Sequence, residues 1–150
     1  DKVFIDTNIL VFCYSKTDVN KQTQSRALLE KNDCFVSTQV LQELVNVLRK
    51  KFRIDYSHIE RVLSETVANC SVFVNSEETV FQALRIGERY GYSFYDSLIV
   101  ASCLASSCVV LYSEDMQHRQ VIDGRVQIVN PFLETWPLVA SFSYFCAHVA

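Results

Sequence analysis

Glycine and proline are scarce in this sequence, with three glycines and two prolines among 150 residues. These residues interrupt helices most strongly, so their scarcity predicts that helix dominates the regular structure. Hydrophobic residues make up 49% of the chain and charged residues 21%, a balance that excludes a disordered chain. A chain of this length can form one domain around a single core.

Two further absences limit the classes of function. The formal net charge is −3, so the chain lacks the basic excess of proteins that coat DNA nonspecifically. Six cysteines are present but none form a C-x-x-C pair, which argues against a zinc site. No signal peptide is visible, so we expect a cytoplasmic location and free thiols. The negative net charge does not exclude a nucleic-acid substrate, because the carboxylates of a cation-binding site themselves contribute negative charge that bound cations would offset.

The end of the sequence differs from the rest. From Thr135 to Ala150 there is no Asp, Glu, Lys or Arg. The segment is too short, and too interrupted by Pro137, to form a membrane-spanning helix of about 20 apolar residues. We therefore expect no membrane association, one domain at residues 1–133, and an apolar tail at residues 134–150. Packing on the domain, an interface and an irregular chain end are equally open for this tail.

Short apolar strands alternate with helical segments along the domain. The strands are predicted at residues 3–6, 34–36, 71–74, 109–112 and 126–129. Helices are predicted near residue 8 and at residues 17–31, 38–52, 55–69, 77–90 and 93–106. This alternation predicts an α/β fold with a mostly parallel central sheet of four to five strands and right-handed crossovers.

Four acidic residues stand where such a fold would bring them together: Asp6, Glu43, Asp96 and Asp115. Strand ends and the starts of the following helices share the carboxyl edge of a doubly wound sheet. Four carboxylates that converge there cannot all stay ionised without a cation. Oxygen ligands without Cys or His suit Mg²⁺ or Mn²⁺, and such ions support phosphodiester hydrolysis.

Each acid also has a structural alternative when it is taken alone. Asp6 would cap the helix that follows it, and Asp96 would cap its own helix as part of a capping box. Glu43 would be a solvated helix residue, and Asp115 a turn residue, as would its neighbour Glu114. The functional interpretation therefore depends on the set of four rather than on any member.

Four segments of the chain resemble the ordered motifs of PIN-domain ribonucleases. They are FIDTNIL at residues 4–10, VSTQVLQE at 36–43, SFYDSLIVA at 93–101 and LYSEDM at 111–116, followed by VNPF at 129–132. The resemblance covers roughly residues 2–133, and the motifs are similar to those of VapC-type toxins of bacterial toxin–antitoxin pairs. It implies a three-layer α/β/α sandwich, metal-dependent RNA cleavage, a homodimer, and inhibition by a VapB-like antitoxin.

The resemblance also assigns roles to individual residues. The catalytic and metal-binding residues would be Asp6, Glu43, Asp96 and Asp115, with Mg²⁺ or Mn²⁺ as the cofactor. Thr7, Asn8 and Ser113 would be polar neighbours that orient these carboxylates. Turn or cap roles are equally open for Thr7 and Ser113. In the fourth motif the hydroxyl two residues earlier selects Asp115, with Glu114 as the alternative.

Basic residues that would contact RNA are less clearly marked. The dense basic run contains Arg49, Lys50 and Lys51, and it equally fits a cationic helix end that complements the helix dipole, the interpretation that we favour. Arg119 stands where similar toxins usually have glycine, which predicts a differently shaped loop or a contact with RNA.

Two rival functions remain at this stage. In an aspartyl-phosphate phosphatase, Asp6 would be a covalent nucleophile, but such enzymes usually have a second Asp at the position of Asn8. A catalytically silent PIN-fold protein that binds nucleic acid or acts as a scaffold is the other alternative. Which RNA would be cut cannot be read from the residues.

Overall fold

The computed structural model describes residues 1–133, and within them strands and helices alternate as the sequence predicts. The strands are β1 (Lys2–Ile5), β2 (Asp33–Ser37), β3 (Ser71–Phe73), β4 (Val110–Tyr112), β5 (Val121–Ile122) and β6 (Val126–Val129). The helices are α1 (Thr7–Tyr14), α2 (Val19–Lys31), α3 (Thr38–Lys50), α4 (Tyr56–Asn69), α5 (Glu77–Tyr90) and α6 (Phe94–Ala105). The tail at residues 134–150, for which three roles stayed open, lies outside the described residues.

The strands form one sheet in the order β3-β2-β1-β4-β6-β5. All pairings are parallel except that of β5 with β6, so the predicted α/β class is confirmed. The sheet has one strand more than the upper limit of five that the sequence predicts. This additional strand, β5, has only two residues, which is too short to produce a recognisable period in the sequence.

The helices fall into two packed groups. Helix α1 packs against α2 and α3, α3 packs against α4, and α5 packs against α6. The chain runs from β1 outward to β3 and then returns to the other side of β1 as β4. With right-handed crossovers, this reversal places the two groups on opposite faces of the sheet, as in a three-layer α/β/α sandwich.

The core is concentrated on β1 and α6. Val3, Phe4 and Ile5 are at most 1% exposed, because a central parallel strand is covered on both faces. Every residue from Ser97 to Leu104 in α6 is buried, which explains why its sequence is apolar nearly all round. Within residues 1–133, no helix is long and apolar enough to cross a membrane.

Capping residues fix the helix ends that matter for the site. Asp6, Ser37 and Ser93 are the N-caps of α1, α3 and α6, and each side chain accepts a hydrogen bond from a backbone N–H of its helix. Gly91 ends α5 with a φ of 76°, a left-handed conformation that glycine adopts readily at a helix end. The cysteines among the described residues, Cys13, Cys34, Cys70, Cys103 and Cys108, are buried and unpaired.

Candidate active site at the carboxyl edge of the sheet

The four predicted acids line one cavity of about 220 Å³. Asp6 directly follows β1, and Asp115 lies three residues after β4. Glu43 lies in α3, and Asp96 lies in the first turn of α6. Strands β1 and β4 are the neighbours between which the chain changes direction across the sheet, the position at which open α/β sheets bind ligands.

Asp6 is the most enclosed of the four acids, at 7% exposed. Its Oδ1 accepts a hydrogen bond from the backbone N–H of Thr7 at 2.7 Å, and its Oδ2 accepts one from Ser113 Oγ at 2.8 Å. Asp6 therefore caps α1 and lines the cavity at the same time, so the two interpretations of this residue are compatible. Ser113 and Thr7 lie where the resemblance implies, each against a carboxylate.

The electrostatic environment of Asp6 opposes its ionisation. Burial raises the pKa of Asp6 to about 6, while the hydrogen bonds from Ser113 and Thr7 lower it. The charges of Glu43 and Asp115 raise it further. A buried carboxylate among like charges is stabilised in its charged form when a cation lies beside it.

Both oxygens of Glu43 accept hydrogen bonds. Oε2 accepts one from Thr7 Oγ1 at 2.6 Å, and Oε1 accepts one from Gln39 Nε2 at 2.7 Å. Thr7 thus contacts two acids, Asp6 through its N–H and Glu43 through its hydroxyl. Glu43 is half-buried, so it is only partly exposed to solvent.

Asp115 lies at the open side of the cavity and is exposed. Its Oδ2 accepts a hydrogen bond from Asn8 Nδ2, and its N–H donates to Ser113 Oγ at 3.3 Å. Partial burial and the neighbouring charge of Glu114 raise the pKa of Asp115. Asp96 is half-buried and lines the cavity, and its backbone N–H donates to Oγ of the N-cap Ser93 at 3.2 Å, which is one of the two hydrogen bonds of a capping box.

Glu114, the alternative acid of the fourth motif, does not line this cavity. Its carboxylate forms an ion pair with Lys21 Nζ of α2. The same Nζ lies 4.7 Å from the centroid of the Phe12 ring and 4.9 Å from that of Phe132. Lys21 therefore holds Glu114 against α2, and Asp115 is the acid of this pair that faces the cavity.

The donor set fits a hard divalent cation. Besides the four acids, the lining includes Asn8 and Asn46, and none of the described lining residues is His, Cys, Lys or Arg. Oxygen donors of this kind suit Mg²⁺ or Mn²⁺. Within residues 1–133 no group of three or more acidic, His or Cys side chains is gathered closely enough to hold a metal ion as the side chains stand. The carboxylates therefore form the wall of an open site.

The basic residues singled out from the sequence are not brought to the cavity. Arg49 and Lys50 end α3, where Arg49 Nη1 donates to the carbonyl of Ile54 at 3.3 Å, a position that fits a cationic helix terminus. Lys51 follows as the C-cap. Arg119 has a φ of 67°, in the left-handed region that favours glycine, so its backbone is strained for a residue with a side chain.

Three residues at or beside the site were missed by the sequence analysis: Gln39, Asn46 and Lys21. Gln39 precedes Glu43 by four residues and Asn46 follows it by three, so both share its face of α3. This spacing could have identified both residues from the sequence as neighbours of Glu43. Lys21 had no such signal, because its partner Glu114 is 93 residues away in the chain.

The fold and the cavity define an α/β protein with an acidic site at the switch point of its sheet. The model of the PIN domain matches residues 3–123, and this chain belongs to the PIN-domain family. No curated protein matches the sequence.

Solved structures of toxins share the fold. VapC20 of Mycobacterium tuberculosis, a Sarcin-Ricin loop cleaving toxin, is 18% identical with a TM-score of 0.63, over 75% of this chain and 89% of that chain. A toxin–antitoxin complex from Klebsiella pneumoniae is 20% identical with a TM-score of 0.65, over 86% and 97%. FitAcB from Neisseria gonorrhoeae is 16% identical with a TM-score of 0.57, over 88% and 99%. The predicted likeness to VapC-type toxins is confirmed at the level of the fold.

Proposed function

We propose that this protein is a metal-dependent endoribonuclease that acts as the toxin of a toxin–antitoxin pair. The observation that carries the proposal is the convergence of four acids from four separate elements on one cavity, with Asp6 buried among them. The PIN-domain family and the shared fold with an RNA-loop-cleaving toxin support it. Helix capping accounts for Asp6 alone, but a silent scaffold would not need three further acids around it in one cavity.

The roles of the residues follow from their contacts. Asp6, Glu43, Asp96 and Asp115 would hold Mg²⁺ or Mn²⁺. When bound, such a cation neutralises charge on the phosphodiester and activates water for attack on phosphorus. Thr7, Ser113 and Asn8 donate hydrogen bonds to three of these acids and so fix the carboxylates before substrate arrives.

The charge of the site explains why a cation is needed for an anionic substrate. An RNA phosphodiester would be repelled by four carboxylates and a lining without Lys or Arg among the described residues. Arg49, Lys50, Lys51 and Arg119 lie elsewhere on the surface and stay candidate contacts for the RNA backbone.

The partners belong to the same proposal. The structural neighbours include toxin–antitoxin complexes, one of them VapBC2 from Rickettsia felis bound to a DNA fragment from its promoter. We propose a VapB-like antitoxin as the inhibitor of this chain, a homodimer as its assembly, and the cytoplasm as its location. Purification from cells that co-express an adjacent short reading frame would test the first two.

A cleavage assay tests the activity. Purified protein is incubated with single-stranded and structured RNA in Mg²⁺, Mn²⁺ or EDTA, beside Asp6→Asn and Asp96→Asn. The matched control is Glu114→Gln, which removes an acid next to the cavity but outside its lining. We expect cleavage that needs the cation, that is lost in both Asp variants, and that persists in the control.

Two results would overturn the proposal. Cleavage that continues in EDTA, or is unchanged in both Asp variants, contradicts a site of metal-binding carboxylates. Stable ³²P labelling of Asp6 by a phosphoryl donor would favour a phosphatase instead. The structure argues against that chemistry, because the side chain of Asn8 donates to Asp115 where a second acid would be required.

A further inference from the structure

One buried polar side chain beside the acids has no role in the function proposed so far. Gln39 is 5% exposed and lies in the first turn of α3, four residues before Glu43. Its Nε2 donates to Glu43 Oε1 at 2.7 Å and to the backbone carbonyl of Tyr95 at 3.1 Å. Tyr95 directly precedes Asp96. A single amide group therefore joins the Glu43 carboxylate in α3 to the backbone of α6 at the residue before Asp96.

The orientation of this amide is fixed by its partners. Both neighbours are hydrogen-bond acceptors, so only the NH₂ group of Gln39 can face them. The opposite atom, Oε1, is buried and has no hydrogen-bond partner among the described residues. A buried acceptor without a partner lowers stability. The Oε1 atom therefore does not account for a glutamine at this position, and the two Nε2 contacts do.

These contacts complete a connected set across the site. The second oxygen of Glu43 accepts a hydrogen bond from Thr7 Oγ1 at 2.6 Å, and the N–H of Thr7 donates to Asp6 at 2.7 Å. Glu43 is thus held on one side by the helix that follows β1 and on the other by Gln39. Through the carbonyl of Tyr95, Gln39 extends the set to the start of α6.

We infer that Gln39 is a positioning residue for the cation site, which orients the Glu43 carboxylate and ties it to the helix terminus that carries Asp96. The inference rests on the proposed function, since it presumes that these acids hold a divalent cation. Hydrogen bonds that orient ligand side chains typically change metal affinity by about 10- to 100-fold.

Metal binding without RNA provides the test. Mn²⁺ is titrated into Gln39→Met and into Gln42→Met, and the electron paramagnetic resonance signal of the free ion gives the dissociation constant. Gln42 is the matched control because it is the same residue type, three positions on in α3, and exposed. We expect Gln39→Met to weaken Mn²⁺ binding about 10-fold or more, and Gln42→Met to change it less than about twofold. Unchanged affinity in folded Gln39→Met would overturn the inference.

A double-mutant cycle separates positioning from packing. If Gln39 acts through Glu43, then Gln39→Met should weaken Mn²⁺ binding much less in a Glu43→Ala background than in the wild type. Equal losses in both backgrounds would show that Gln39 only supports the fold. If Gln39→Met does not fold, Gln39→Asn replaces it in the titration. The amide of Asn is one methylene too short to reach the two acceptors, so we expect the same loss of Mn²⁺ affinity.

Thermal unfolding and RNA cleavage complete the comparison. We expect Gln39→Met to stay folded at the temperature of the titrations, with a midpoint lowered only by the loss of the two Nε2 hydrogen bonds. If the wild type cleaves RNA with Mn²⁺ and Gln39→Met binds the ion equally well, the inference fails while the proposed function stands. A wild type that neither binds Mn²⁺ nor cleaves RNA would overturn both.

Discussion

Helix α1 is eight residues long and has a cavity at each end. At its start, Thr7 and Asn8 line the acidic cavity of about 220 Å³. At its end, Cys13 and Tyr14 line a second cavity of about 460 Å³, between α1, α2 and α4. The larger space also contains acids, Glu30 and Glu65, yet both are exposed. Size alone would therefore select the wrong end of the helix.

The two ends of α1 differ in the hydrogen-bond partners that surround a buried titratable side chain. Burial raises the pKa of Cys13 to about 12, and its thiol donates to the carbonyl of Ile9 at 3.4 Å, so Cys13 is held as a neutral group. Burial also raises the pKa of Asp6, to about 6, but Thr7 and Ser113 both donate to its oxygens. The surroundings of Cys13 suit an uncharged side chain, whereas the donors around Asp6 suit an anion, which a bound cation would stabilise.

The largest effect should come from replacing the buried titratable group at each end in turn. Asp6→Asn should lower cation-dependent RNA cleavage by at least about 100-fold, because a group that binds the cation is lost. Cys13→Ala should leave the cleavage rate within about twofold, while lowering stability by about 1 kcal/mol through lost packing. Initial rates with saturating Mg²⁺, together with urea unfolding curves, measure both. Comparable losses of activity in the two variants would contradict the claim that only the acidic cavity at the start of α1 is the active site.

The stability of the metal-free protein should show the cost of burying Asp6. Its pKa is about 6 in the folded chain, against 3.8 as the ordinary value. The unfolded chain therefore loses this proton first, and stability falls as the pH rises from 3.8 to 6, by about 3 kcal/mol in order of magnitude. Below pH 3.8 both states are protonated, and above pH 6 the cost is constant.

Asp6→Asn isolates this contribution from other acids. In EDTA at pH 7 it should be more stable than the wild type by about 1 to 3 kcal/mol, and the gain should vanish near pH 3. Mg²⁺ should then stabilise the wild type but not the variant. A variant that is less stable than the wild type at pH 7 would show that the Asp6 carboxylate is already satisfied without a cation.

A smaller effect is expected away from both cavities, at Arg119. Its φ of 67° is unfavourable for a side chain, so Arg119→Gly should raise stability by about 0.5 to 1 kcal/mol. Arg119→Ala removes the same charge but keeps the backbone strain, and should give no such gain. Unfolding curves compare the two. If Arg119 also contacts RNA, both variants should weaken RNA binding equally, whereas a loss in only one would assign the effect to the loop.

The sequence was informative where chemistry is local and less so where it depends on distant partners. The run Val3–Ile5 followed by Asp6 predicted a buried strand with an acid at its end, because a two-sided core forces a continuous apolar pattern. The motif pattern selected Asp115 but left Glu114 as an alternative. The ion pair with Lys21, formed only by the tertiary fold, separates them. Likewise, the backbone carbonyl that Gln39 contacts lies 56 residues away along the chain.

The central claim is that Asp6, Glu43, Asp96 and Asp115 together hold a divalent cation. Anomalous diffraction from crystals soaked in Mn²⁺ tests it most directly, since the signal marks the ion itself. We predict a peak in the acidic cavity with carboxylate oxygens of Asp6 and its partners at ion-binding distance, and no such peak in crystals of Asp6→Asn. A peak only outside this cavity, or none at all at millimolar Mn²⁺, would contradict the account.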